Sequence, residues 1–124
     1  MPSKSVHLSV PAEAGFARTV RMMAANLAVV SEMSVDDVED VRMAAEEGFV
    51  YCCATEPESC EVSFELAQGE VRTTFDLGPS EVDKGDDALG FVELLLSAVC
   101  DEFILSDDGQ QLTLVKRAEV AYGE

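Results

Sequence analysis

The sequence predicts an α+β fold, a two-layer α/β sandwich in which helices cover one face of a mostly antiparallel sheet. Three observations lead there. Between Ala12 and Ala54 two long segments repeat apolar residues at helical spacing. Further on, two pairs of short alternating segments are each joined by a turn, which is the pattern of a β-hairpin. A strongly apolar stretch, Leu89 to Cys100, separates the two pairs.

Each element has its own justification. Ser5-Val6-His7-Leu8-Ser9-Val10 alternates polar and apolar residues as a half-buried strand does, and Pro11 ends it. From Ala12 the pattern turns helical, with Phe16, Val20, Met23, Leu27 and Val30 on one face and a fade near Met33. Ser34 is placed as an N-cap, with Asp36, Asp37 and Glu39 in the first turn, where the helix dipole favours negative charge. The second helix runs to about Ala54 and buries a stripe of Val38, Val41, Ala45, Phe49 and Cys52. Glu56 to Ser59 reads as a loop. Cys60–Leu66 and Val71–Phe75 alternate as strands, and the short connection through Gly69 makes them an antiparallel hairpin. Asp76 to Asp87, with Pro79 and two glycines, reads as loop. Leu89–Cys100 is apolar enough for a buried strand, but its length and Ala/Leu content favour a buried helix. Phe103–Leu105 and Leu112–Val115 flank Asp107-Asp108-Gly109, a hairpin turn signature.

The 124 residues fit one domain, 1–124, able to bury roughly two-thirds of its unfolded surface. No apolar run approaches the roughly 20 residues of a membrane span. The N-terminus leads directly into the first strand pattern and is not a signal peptide, so a cytoplasmic location is expected. Twenty-five acids against eight Lys and Arg give a net charge of −17. That balance excludes nucleic acid as a partner, because phosphate binding requires cations, and it disfavours anionic membranes equally. The acidity is a solvated surface or a face complementary to a basic partner. Cys52, Cys53, Cys60 and Cys100 form no C-x-x-C pair, and His7 is the single histidine, so metal-site spacing is absent; buried reduced thiols are expected. His7, on a strand with no evident partner, is read as structural or surface.

One motif stands in the second helix. Glu47 and Tyr51 lie four residues apart and project from one helix face. Asp76-Leu77-Gly78 follows the second hairpin strand, and Ala88-Leu89-Gly90 opens the next helix. With the β-α-α-β-β-α-β-β order, these residues resemble the Bergerat-fold, or GHKL (histidine kinase-like), ATPases. Within them the chain looks like the small bacterial anti-sigma-factor serine kinases, from Val6 to about Lys116. The short strand ending in Pro, Leu8-Ser9-Val10-Pro11, and the acidic lead into Glu46-Glu47 follow the family manner. The resemblance implies a site for ATP and Mg²⁺: Glu47 as general base, Asp76 recognising the adenine amino group, Gly78 letting the backbone approach the ring, and Gly90 near the phosphates. It also implies a sigma factor or an STAS-domain antagonist as partner, a role in transcription regulation, and a homodimer through the first strand and helix.

Three departures qualify what the resemblance carries over. The family's Mg²⁺-binding Asn is Tyr51 here, and a neutral phenol is a bulky, poor ligand for an ion that takes compact oxygens; reading Glu46 with Val50 instead is worse, and no metal ligand is assigned. The segment Pro79–Asp87 is shorter than the family's lid. Its one cation is Lys84, and it adds Glu81, Asp83, Asp86 and Asp87, which repel a triphosphate. Ala88 stands where the family has a glycine. Three functions therefore remain open. The chain is a degenerate anti-sigma-factor-like regulator acting by protein–protein binding, an ATP-dependent serine/threonine kinase with Glu47 as base, or a regulatory domain holding another small ligand in a vestigial pocket. In the first reading Glu47 is one more acid on a polar helix face, and Tyr51 plugs the old nucleotide site.

Overall fold

The computed structural model describes residues 4–81 and 87–118, apart from the side chains of 87–89. Met1 to Ser3 and the loop residues Asp83, Lys84 and Asp86 lie outside the described residues. The elements follow in the expected order. They are β1 (Lys4–Val10), a 3₁₀ turn (Ala14–Phe16), α1 (Ala17–Val30), α2 (Val35–Ala54), β2 (Cys60–Ala67), β3 (Glu70–Asp76), α3 (Asp87–Val99), β4 (Glu102–Leu105) and β5 (Gln111–Arg117). The five strands form one antiparallel sheet in the order β1-β2-β3-β5-β4. The helices cover one face, so the molecule is a two-layer α/β sandwich.

Alternation along the strands sets the two faces. Val62, Phe64 and Leu66 of β2 and Val71, Thr73 and Phe75 of β3 point to the helices and are buried. Their neighbours Ser63, Thr74 and Thr113 lie on the opposite, polar face, where the Thr74 and Thr113 hydroxyls meet at 3.2 Å across a strand pair. Above the inner face α2 contributes Val41, Ala44, Ala45, Phe49 and Cys52, and α1 adds Val20, Ala24, Leu27 and Ala28. Val38 is half-buried. Gly48 brings α2 close to the sheet, because a Cβ there would collide with the Phe75 ring and with Leu114.

The helix ends follow local chemistry. The Asp37 N–H donates to the Ser34 hydroxyl at 3.1 Å, which is the expected N-cap. Helix α1 starts later than its sequence pattern, behind the 3₁₀ turn, and stops at Val30, leaving Val30 exposed. It ends in a Schellman motif: Met33 N–H reaches the Ala28 carbonyl and Glu32 N–H the Val29 carbonyl, with Glu32 at φ 62°. Helix α2 ends on Glu56 at φ 54°. At the other end of α2, Lys116 of β5 is buried, 3.0 Å from Asp40 and 3.9 Å from Asp37. Burial alone would lower its ammonium, but the hydrogen bond and charge of Asp40, with Asp101 and Asp37, carry it above the ordinary lysine value.

One expectation needs correction. Leu89–Cys100 is a helix, not a strand, but it is buried along one stripe only. Val92, Leu96 and Val99 face the core, while Phe91 and Leu94 are 60% and 68% exposed. Helix α3 lies at the rim of the helical layer, against α2 and beside the edge strand β4, so among the described residues nothing covers one side of it. Phe103, Ile104 and Leu105 of β4 are exposed as well.

Candidate functional site

A cleft of about 860 Å³ opens where the C-terminal half of α2, the end of β3 and the β4–β5 turn converge. Tyr51 and Thr55 line it from α2, Leu77 to Glu81 from the segment after β3, Glu93 from α3, and Leu105 and Asp108 to Gln110 from the hairpin turn. Its position follows from the fold. Leu77 N–H donates to the Gln110 carbonyl at 2.8 Å, continuing the β3–β5 ladder one step beyond the strand. The chain then leaves the sheet and passes over the end of α2.

Thr55 fixes that passage, and nothing in the sequence pattern singled it out. Its buried hydroxyl donates to the Cys52 carbonyl at 2.6 Å and accepts the Gly78 N–H at 2.7 Å. Its carbonyl accepts the Ser80 N–H at 3.0 Å. Gly78 is pressed so closely on this turn that an added Cβ would meet the Thr55 carbonyl oxygen and the Pro57 nitrogen. The close approach that requires glycine is thus to the α2–β2 turn.

The residues singled out from sequence divide between this cleft and its surroundings. Tyr51 and Gly78 line the cleft; Glu47, Asp76 and Gly90 are not among its lining residues. Glu47 lies one turn before Tyr51, half-buried, and burial together with the charge of Glu46 pushes its carboxyl up from the ordinary value. Glu46 is held by Arg21 at 2.9 Å. Asp76 is exposed between the buried Phe75 and Leu77, so alternation places its side chain on the sheet face away from the helices. There it accepts from the Gln111 side-chain amide at 3.0 Å. Gly90 sits exposed in the first turn of α3, with open space where a Cβ would be. The side chain of Ala88 lies outside the described residues.

Electrostatically the cleft is acidic. Glu81, Glu93 and Asp108 line it, and among the described residues no Lys or Arg does. Burial first, then the nearby charge of Glu93, pushes the Tyr51 phenol above its ordinary pKa, so it remains a neutral O–H at physiological pH. Leu77, Pro79 and Leu105 give the walls an apolar part. Such a site favours neutral or cationic groups and an apolar body; it opposes polyanions. Among the described residues no group of three His, Cys, Asp or Glu is placed to hold a metal ion.

No protein-family model matches the sequence, and no curated protein matches it. Among solved structures, the chain is similar to the crystal structure of the RsbU and RsbW domains of Rv1364c from Mycobacterium tuberculosis. The TM-score is 0.61 at 21% identity, covering 94% of this chain and 32% of that one. The likeness shows the fold, and the chain spans about a third of the length of that neighbour. Among the described residues no helix is long and apolar enough to cross a membrane.

Proposed function

We propose that this chain is an anti-sigma-factor-like regulatory protein that acts by protein–protein binding, with a nucleotide site that has lost its function. The observation that carries the reading is Tyr51. The residue at the position of the resembled family's metal ligand is a neutral phenol, and it lines a cleft whose described charges are all negative. These residues do not fit a magnesium-bound triphosphate: the phenol is a poor ligand for Mg²⁺ and the carboxylates repel phosphates. Asp76, turned to the outer sheet face and engaged by Gln111, is not aimed at a base in the cleft. The resemblance and the likeness in fold to a chain with an RsbW domain support a regulatory role. On that reading the partner is a sigma factor or an STAS-domain antagonist.

The runner-up, an ATP-dependent serine/threonine kinase, draws on the raised carboxyl of Glu47, a property that suits a general base. Calorimetric titration with Mg-ATP, on the protein and on Tyr51→Asn, separates the two readings. The binding reading expects no heat of binding from the unmodified chain at tens of micromolar. Affinity on the order of micromolar would restore the kinase. Affinity gained only by Tyr51→Asn would locate the defect at the metal position.

A homodimer through β1 and the start of α1 belongs to the same proposal. Val6, Leu8 and Phe16 are half-buried against the core and leave part of their apolar surface to a partner. Sedimentation showing only monomer at high micromolar concentration would remove this element of it.

A further inference from the structure

Behind the cleft, two buried sulfurs touch. Cys52, in the last turn of α2, and Cys60, the first residue of β2, are each 0% exposed, and their Sγ atoms are 3.4 Å apart. The Cys60 thiol donates to the Cys52 sulfur, and the Cys52 thiol donates to the Asp76 carbonyl at 3.3 Å. Seven residues separate the two cysteines in sequence, the last two of α2 and the turn 55–59. Cys53 and Cys100 are half-buried and take no part in this contact.

We propose that Cys52 and Cys60 form a reversible disulfide, a modification site that links an oxidant of the peroxide class to the conformation of the cleft.

The geometry asks for little. A disulfide needs sulfurs about 2.05 Å apart, so each must move by well under 1 Å if the two share the closure. They approach from the end of a helix and the start of a strand, across a turn with no regular backbone ladder of its own. The contact also prepares the chemistry. A thiol that receives a hydrogen bond from its neighbour holds its own anion more readily, and the Cys52 thiol is accordingly lowered by Cys60. Cys60 is raised by giving that bond and by burial, so the pair is asymmetric, with Cys52 as attacking sulfur and Cys60 as resolving sulfur. Tyr51, next to Cys52 on α2, and Thr55, just after the helix, line the open cleft, so a small oxidant would reach the buried pair from that side.

The reaction balances in two steps. The Cys52 thiolate attacks one oxygen of hydrogen peroxide, the O–O bond breaks, and the leaving hydroxide takes a proton to become water, giving Cys52 sulfenic acid. The Cys60 sulfur then attacks the Cys52 sulfur; the S–O bond breaks, and the departing hydroxide takes the Cys60 proton as a second water. Two thiols lose two electrons and two protons, and peroxide gains both.

Oxidation has a structural consequence that an inert core thiol would not have. A disulfide sulfur carries no proton, so the Asp76 carbonyl loses the Cys52 donor. The turn drawn in by the new bond is the one on which Gly78 and Ser80 are hung through Thr55. The wall of the cleft is therefore released or repositioned by the redox state of a pair behind it. This holds whether or not the cleft takes a nucleotide.

The test uses the native protein with equimolar hydrogen peroxide, followed by thiol blocking, unfolding and digestion with a glutamate-specific protease. The cut after Glu58 leaves the two cysteines on different fragments, since Pro57 protects the bond after Glu56. The expected result is the two fragments joined, with the mass of two hydrogens lost and separation by dithiothreitol. The bond persists in the double variant Cys53→Ser, Cys100→Ser, and is lost in Cys60→Ser. Amide exchange at Gly78 and Ser80 rises several-fold on oxidation and returns on reduction. The proposal is overturned if both cysteines stay alkylatable, if the bridge maps to Cys53 or Cys100, or if it forms only in urea. Unchanged exchange at Gly78 and Ser80 removes the link to the cleft. Should Cys60→Ser fail to fold, the double variant, which keeps only the touching pair, decides the matter alone.

Discussion

A methyl group added at Gly78 would run into the backbone of Thr55 and Pro57, whereas one added at Gly90 meets nothing within 4 Å. Gly78→Ala is therefore expected to lose about 2 kcal/mol of stability or more, because backbone must shift to admit it. Gly90→Ala, at an exposed helix position, is expected to gain about 0.5–1 kcal/mol from the entropy of the unfolded chain. Urea unfolding of the two variants checks the pair, and a Gly90→Ala that destabilised would mean this glycine answers to something outside the helix. On the outer sheet face Glu61 accepts hydrogen bonds from Ser59 at 2.6 Å and Ser9 at 2.5 Å, and contacts His7 at 2.9 Å. These three, in that order, hold its carboxyl down at about 2 instead of 4.5. The folded value is depressed, so the stabilisation is present above about pH 4.5 and is lost as the pH falls toward 2. Carboxyl NMR titration should find Glu61 the most acid-resistant of the strand glutamates, and Ser9→Ala should raise its midpoint. Some of this scale was legible: the parity that sends Phe75 inward sends Asp76 outward. The role of Thr55 and the sulfur contact were not, because both depend on where a turn folds back in space.

Helix and strand boundaries were legible wherever a residue type has one structural use. Ser34 ahead of three acids marked the start of α2, and the Asp107-Asp108-Gly109 sequence marked the last hairpin. The helix ends were harder, because the left-handed positions are filled by Glu32 and Glu56 instead of the usual glycine. Helix α3 misled in another way: hydrophobicity on all sides reads as full burial, and it cannot tell the middle of a layer from its rim. Two elements offer quantitative checks. Ser34→Ala should cost about 1 kcal/mol, the ordinary worth of an N-cap. Lys116→Met should cost about 3 kcal/mol, since it removes the ammonium from between Asp37 and Asp40 and leaves buried negative charge facing itself. Both are read from urea midpoints at neutral pH. Equal losses for the two would show that the lysine is solvated despite its burial.

At the scale of the whole molecule, a net charge of −17 on 124 residues is a standing self-repulsion. Raising the ionic strength from about 10 mM to about 150 mM shortens the Debye length from roughly 30 Å to roughly 8 Å. The urea midpoint should rise over that range, and association with a basic partner should weaken over the same range. A midpoint that fell instead would mean that attractive ion pairs outweigh the repulsion.

The edge strand β4 gives the same charge a second meaning. Phe103-Ile104-Leu105 is short, apolar and exposed at the border of the sheet, with one side of its backbone ladder unpaired among the described residues. An open border of this composition is a template for strand-to-strand growth between molecules. No proline interrupts it and no lysine guards it, so long-range repulsion between highly acidic particles is what keeps two such borders apart. As the pH falls and the carboxylates take up protons, colloidal stability should fail before the fold does. Light scattering would then rise while far-ultraviolet circular dichroism still reports a native sheet, and Ile104→Lys should delay that rise.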